Sequence, residues 1–235
     1  MEDQLISNVV SDTSTDQSKL PLEVYDLGVI DYLKALELQR NYHQKLIEGT
    51  QGDLLLICSH NPVFTCGTST AAEHIYLPEA EFIAQGSPLV KVERGGSVTY
   101  HGPEQAIFYP IINLHNHKTD VGWYMRALEE VIIRTLKEYD IIGIRVTGKT
   151  GVWIDQNTKI AFSGVRISRW CTLHGFAMNV LPCAERFSAI NPCGLGDIKV
   201  VSMAELSSRT LSCATVTQQL LIHFIDVFGY GNWSP

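Results

Sequence analysis

Six cysteines and one dense run of glycines are the parts of this sequence that could do chemistry. Cys193 lies in Ile190-Asn191-Pro192-Cys193-Gly194. A proline before it and a glycine after it hold a turn that is neither helix nor central strand, which predicts an accessible thiol. A thiolate is a good acyl acceptor once a neighbouring cation favours its charged form. Cys171 and Cys183 also lie near turns, and spacing alone does not separate the three. Cys58 closes the apolar run Asp53–Cys58 and reads as a small buried hydrophobe. None of the six forms a Cys-x-x-Cys pair, so a zinc site lacks its usual spacing and no metal is expected.

The glycine run is Arg94-Gly95-Gly96-Ser97-Val98-Thr99-Tyr100-His101-Gly102-Pro103-Glu104-Gln105. Its glycines let the backbone approach a ligand, while Ser97 to Tyr100 favour a strand. With Arg94, His101 and Gln105 around the turns, a ligand-facing loop is expected. His101 and His174 both have ordinary readings as hydrogen-bonded core histidines, and only His101 is carried as substrate-lining.

A third stretch imitates chemistry. Residues 143–150, Gly143-Ile-Arg-Val-Thr-Gly148-Lys149-Thr150, match the phosphate-binding pattern G-x-x-x-x-G-K-[ST]. That pattern works between a strand and a helix, where helical N–H groups cradle phosphate. Here the intervening residues favour a strand themselves, and Gly151–Ile154 continues as strand. Nucleotide hydrolysis is therefore not expected.

These residues must be positioned by a sizeable core. With 235 residues, 45% of them hydrophobic, the chain can bury one, and no break in composition demands a second domain. A net charge of −7 argues against a general nucleic-acid binder. No apolar run approaches the roughly 20 residues of a membrane helix. Met1 to Lys19 is polar and lacks the apolar core of a signal peptide. Residues 1–20 are read as a disordered tail and 21–235 as one catalytic domain. Without an export signal, reduced thiols in the cytoplasm are expected.

Along the chain, Glu23 to Leu27 reads as a strand. A helix follows from Asp31, with Leu33, Leu36, Tyr42 and Leu46 near one face. Asp53–Cys58 predicts a buried strand. Leu89–Val92 and Gln105–Leu114 flank the glycine run as strands. Thr119 or Asp120 caps the clearest helix, whose stripe is Val121, Tyr124, Met125, Leu128, Val131, Ile132 and Leu136. Ile144–Thr147, Gly151–Ile154, Lys159–Ile167 and Thr172–Val180 read as strands. A loop from Leu181 to Gly196 and a helix over about Thr215–Phe228 complete the reading.

The run from Arg94 to Gln105 resembles the Arg-Gly-Gly-x-x-Thr-x-His-Gly-Pro-Gly-Gln signature of the lipoyl(octanoyl) transferases, with Glu104 in place of a glycine. Four further segments are similar to that family, and all five stand in the family's order. They are Pro62-Val63-Phe64-Thr65-Cys66-Gly67, Lys159-Ile-Ala-Phe-Ser-Gly164-Val-Arg166, His174-Gly175-Phe176-Ala177-Met178-Asn179 and Asn191-Pro192-Cys193-Gly194. The resemblance covers about residues 22 to 206. It implies an α/β fold of the α+β type, a mixed sheet flanked by helices as in the biotin and lipoate protein ligases. It implies transfer of an octanoyl group from octanoyl-acyl carrier protein to a lysine of lipoyl domains. The acceptors would be the lipoyl domains of 2-oxoacid dehydrogenases and the glycine cleavage H protein. No cofactor, nucleic acid or membrane is implied, and the expected state is a monomer.

By the same resemblance Cys193 would carry the acyl thioester. Lys159, otherwise an ordinary solvated charge, would favour the thiolate and exchange a proton with the incoming amine. Cys66 falls at a variable position and is not expected to act. The substrate-lining residues would be Arg94, Gly95, Gly96, Ser97, Val98, Thr99, Tyr100 and His101. Phe162, Ser163, Gly164, Gly175, Phe176 and Ala177 would join them, the small Gly164, Gly175 and Ala177 leaving room for an alkyl chain. Glu104 is expected to turn outward to solvent rather than pair with Arg94. Between Gly143 and Trp170, Arg145, Lys149, Lys159, Arg166 and Arg169 face only Asp155, a local positive charge suited to acidic carrier domains. Two rival readings are an ATP-dependent lipoate ligase of the same fold and a non-catalytic protein that binds acyl carrier or lipoyl domains.

Overall fold

In the computed structural model, which describes residues 20–196 and 198–234, strand β1 (Leu20–Ile30) passes into helix α1 (Tyr32–Ile47) across Asp31. The Asp31 carboxylate caps the helix, accepting from the Leu33 and Lys34 N–H groups at 3.0 and 3.1 Å. The tail expected over 1–20 lies outside the described residues except for Leu20, which opens β1. Helix α1 buries Tyr32, Ala35, Leu36, Gln39, His43 and Leu46. Leu33, expected on that face, is 57% exposed because the buried stripe begins one residue earlier, at Tyr32.

The continuous apolar run forms β2 (Leu54–His60), hydrogen-bonded to β1 on one side and β6 on the other. There follow β3 (Val63–Cys66), α2 (Glu79–Ala84), β4 (Leu89–Lys91), β5 (Val98–His101) and β6 (Gln105–Ile111). Helix α3 (Val121–Glu138) is capped by Asp120, whose side chain accepts from the Trp123 N–H. Then come β7 (Val152–Trp153), β8 (Thr158–Ser168), β9 (Cys171–Asn179), β10 (Lys199–Val200), α4 (Met203–Leu206), α5 (Cys213–Phe228) and β11 (Tyr230–Ser234). The β7–β8 connection is a hairpin, with Asp155 accepting from the Asn157 and Thr158 N–H groups at 2.8 Å.

The large sheet runs β10-β8-β9-β6-β2-β1-β11, with β7 also on β8, and the small one β4-β3-β5. Both mix parallel and antiparallel pairs. Helices α3 and α5 close one face of the large sheet over Leu128, Val131, Ile132, Leu220 and Phe224, all fully buried. Truncating Leu128 to alanine there would cost about 2–5 kcal/mol. Helix α1 packs on the other face against β2, β6 and β9. The small sheet adds its own core of Phe64, Phe82 and Tyr100, which meets Phe162 of β8 and Phe187. The site lies where that second core meets the large sheet.

Two expectations need correction. Ile144–Thr147 is no strand: Ile144 alone bridges Trp153, and the antiparallel partner of β7 is β8. The strand β11, parallel to β1, had no signal in an aromatic and glycine-rich terminus.

Candidate active site

Lys159 is the second residue of β8, opposite Trp153 of β7 and Val200 of β10, in a sheet position that removes it wholly from solvent. The default of a solvated lysine at a strand start does not apply there, because strands flank it on both sides. Its Nζ donates to Cys193 Sγ at 3.4 Å and lies 4.8 Å above the Trp153 ring and 4.7 Å above the Phe162 ring. No carboxylate pairs with it among the described residues. A buried ammonium held by two aromatic faces and a sulfur is costly unless the sulfur carries charge.

Cys193 sits in a single 3-10 turn, Pro192–Gly194, with φ at 61°. It is half-buried, while Cys58, Cys66, Cys171 and Cys183 are buried. Burial raises the Cys171 thiol and pushes Cys183 up to about 12, which makes them poor thiolates at neutral pH. Of the three cysteines that spacing left open, Cys193 is the one brought to the lysine.

Beside the pair opens a cavity of about 150 Å³. Arg94, Gly96, Ser97, Thr99 and His101 line it, with Phe162 to Gly164 and Gly175 to Ala177. Gly95, Val98 and Tyr100 do not. Side chains alternate along β5, so Thr99 and His101 reach the cavity while Val98 and Tyr100 enter the second core. Gly95 instead ties the loop to β8, its N–H donating to the Val165 carbonyl at 2.9 Å.

Two glycines leave room for protein rather than for an alkyl chain. A Cβ on Gly175 would run into the Phe108 carbonyl, and one on Gly164 would lie 2.9 Å from the Gly95 carbonyl and 3.2 Å from Arg94 Cδ. Arg94 is itself spent on structure. Its Nε donates to Thr65 Oγ1 at 3.1 Å, Nη2 to the same oxygen at 2.8 Å, and Nη1 to the Gly95 carbonyl at 3.0 Å. Its charge still reaches the cavity, within electrostatic range of Cys193, and no carboxylate pairs with it among the described residues. Two buried cations thus stand beside the sulfur.

Sequence reasoning missed His174. It lines the cavity at 2% exposure with φ at 60°, and neither ring nitrogen has a partner among the described residues. Burial holds its ring down to about 4, hence neutral. His101 is likewise kept well below the ordinary range by burial. Tyr32, Tyr109, Gly148, Lys149, Thr150 and Leu195 also line the cavity without having been expected there. Strand β7, not a helix, follows Lys149-Thr150, and Lys149 Nζ donates to the Gln156 carbonyl at 2.8 Å, so the phosphate-loop geometry is absent.

Glu104 takes neither of the courses considered for it. It is half-buried on the far side of β5, where its Oε2 accepts from the Tyr100 hydroxyl at 3.3 Å. Its φ is not positive, so the backbone does not need the signature's glycine. The basic run is also not one face. Arg145 bridges Glu129 and Glu130 of α3, while Lys159 is buried.

Residues 31–225 match the family model described as the lipoyl protein ligase A/B catalytic domain. The chain belongs to this family. It is 41% identical over 209 residues to a Nostoc sp. protein named Octanoyltransferase, a match covering 88% of this chain and 91% of that one. An Octanoyltransferase of Chloroflexus aggregans is 43% identical over 209 residues, covering 88% of this chain and 95% of its own. In fold this lipoyl ligase A/B domain is similar to the bipartite lipoate protein ligase of Thermoplasma acidophilum, at TM-score 0.70 and 15% identity over 92% of this chain and 88% of the other. It is also similar to lipoate-protein ligase A bound with ATP, at TM-score 0.68 and 15% identity over 92% and 90% of the chains. The fold is the mixed-sheet architecture of the biotin and lipoate protein ligases.

Proposed function

We infer that this chain is an octanoyltransferase acting through a thioester on Cys193. The observation that carries this reading is the 3.4 Å contact between Lys159 Nζ and Cys193 Sγ, with Cys193 lining the cavity. In the first half-reaction the sulfur attacks the thioester carbonyl carbon of octanoyl-acyl carrier protein. The tetrahedral intermediate collapses, the carrier's sulfur leaves with its electron pair, and a proton from Lys159 or solvent makes it a thiol. In the second, the neutral amine of a lipoyl-domain lysine attacks the acyl-enzyme. The C–S bond breaks, the amine loses a proton and Cys193 is regenerated beside the ammonium. The positive field of Lys159 and Arg94 steadies the oxyanion in both steps.

The acceptors are lipoyl domains of 2-oxoacid dehydrogenases and the glycine cleavage H protein, and the protein works in the cytoplasm as a monomer without nucleotide, metal or redox cofactor. Among the described residues no helix is long and apolar enough to cross a membrane. Intact mass after incubation with octanoyl-acyl carrier protein tests the reading: the chain gains one octanoyl group, and a lipoyl domain added afterwards removes it.

A ligase reading is favoured by fold likeness alone. It predicts that transfer depends on ATP, and saturable stabilisation by ATP would revive it. The relatives at 41% and 43% identity, both named Octanoyltransferase, favour the ATP-free route.

A further inference from the structure

Cys193 keeps a left-handed backbone, which a residue with a Cβ holds at a cost and only where its surroundings enforce it. Within the loop, the Gly194 N–H donates to the Asn191 carbonyl and the Gly196 N–H to Asn191 Oδ1, both at 3.1 Å. From outside the loop a further restraint comes from His74, a residue in none of the sequence motifs.

His74 ends a short 3-10 turn, Ala72–His74, and its carbonyl accepts from the Asn191 N–H at 2.8 Å. Next to it, Ile75 pairs with Ile190 in an antiparallel bridge. The side chain does more. Its Nδ1 accepts from the Ala71 N–H at 3.2 Å and lies 2.7 Å from Ser97 Oγ. A ring nitrogen that accepts from an amide carries no proton, so Ser97 donates to it and the neutral ring holds its proton on Nε2. The other edge of the ring rests on Gly194. A Cβ built there would come within 2.7 Å of His74 Cε1 and 2.8 Å of Nε2. Gly194 must be glycine on two counts, its φ of 65° and the ring against it. The ring is a wedge between the glycine-rich loop at Ser97 and the nucleophile turn at Gly194.

We propose that His74 is a positioning residue for acyl transfer: its ring, keyed to Ser97, backs Gly194 and holds Cys193 in the conformation that keeps Sγ on Lys159. This rests on the octanoyl-transfer reading above. His74 does not line the cavity, so losing its ring leaves donor binding in place and lowers the fraction of enzyme ready to attack. The loss falls on the maximal rate and not on half-saturation.

The test is single-turnover acylation by octanoyl-pantetheine, followed by intact mass. His74→Ala lowers the maximal acylation rate at least tenfold, about 1.4 kcal/mol of barrier, with half-saturation within about threefold of wild type. A second arm uses Gly194→Ala. In the wild-type background its methyl meets the ring, and in the His74→Ala background it does not. The Gly194→Ala penalty therefore shrinks at least severalfold when the ring is gone, a coupling that general loss of stability does not produce. A His74→Ala rate within about threefold of wild type, or strictly additive penalties, overturns the proposal. Failure of the wild type to form any thioester overturns the transfer reading and this inference with it.

Discussion

The ammonium of Lys159 and the sulfur of Cys193 stand 3.4 Å apart, one on the second residue of a sheet strand and the other on a 3-10 turn. The lysine finds its other neighbours in two aromatic faces, so the pair is electrically incomplete unless the sulfur supplies the negative charge.

Acylation should therefore be confined to Cys193. Peptide mapping after incubation with octanoyl-acyl carrier protein places the thioester on the segment containing Cys193, and Cys193→Ser abolishes it. Burial pushes Cys183 up to about 12 and Cys213 up to about 11, so neither competes near neutral pH. Label on Cys171 or Cys183 in an active Cys193→Ser variant would sink the assignment.

Replacing Lys159 removes the charge and leaves the strand. Lys159→Met keeps most of the volume, so the protein folds with its melting temperature near that of wild type. Transfer falls by about 10²-fold or more, the range for losing a positioned proton-transfer group. Alkylation of Cys193 by iodoacetamide at neutral pH slows in the same variant. Unchanged alkylation would reduce Lys159 to a packing residue.

Glu104→Gly loses one hydrogen bond to the Tyr100 hydroxyl, on the far side of β5 from the cavity. Stability drops by about 0.5–1.5 kcal/mol and transfer stays within a few-fold of wild type. A hundredfold rise in transfer, about 2.7 kcal/mol of barrier, would mean that Glu104 cripples the enzyme and would favour the binding-protein reading.

Acid should weaken the fold through its buried histidines. His60, whose Nε2 contacts the Tyr109 hydroxyl at 2.8 Å, is held down to about 4 by burial, against an ordinary value of 6.5. Above pH 6.5 both folded and unfolded chains carry the neutral ring, and its contribution is fully present. Between 6.5 and 4 the unfolded chain takes up a proton that the folded one refuses, so stability is lost as pH falls. For His60 the loss is about 2 kcal/mol at pH 5. Urea midpoints at pH 7 and pH 5 measure it, and His60→Gln shrinks the difference. An equal drop in both proteins would assign the acid sensitivity elsewhere.

Much of this was legible in the sequence, and what was not has physical reasons. The helix start at Asp31, the cap placed at Thr119 or Asp120 and the apolar run of β2 are local signals, and the structure carries all three, with Asp120 as the cap. Lys159 and Cys193 were singled out by resemblance, because a lysine at a strand start looks the same whether solvated or buried. His74 carries no local signal, since it acts across 23 residues on Ser97, while His174 opens a family-like segment yet reaches the cavity through a positive φ that the segment does not announce. Glu104 looked like an intrusion only because its partner, Tyr100, is chosen by the alternation of β5.

Strand β8 is laddered to β9 from Ala161 to Ser168, whereas the turn bearing Cys193 is tied to the fold at fewer points: the Asn191 N–H on the His74 carbonyl, the Ile75–Ile190 bridge and the His74 ring against Gly194. The two halves of the dyad thus stand on different supports, a full sheet ladder and a tied turn, and local opening costs less at the support with fewer ties. On the octanoyl-transfer reading, an acyl group fixed to that turn is carried on a tether. It can sit in the cavity while the carrier departs and move toward solvent when a folded lipoyl domain, too large to enter, presents its lysine at the rim. The ammonium stays behind in its aromatic box and receives the sulfur again when the turn closes.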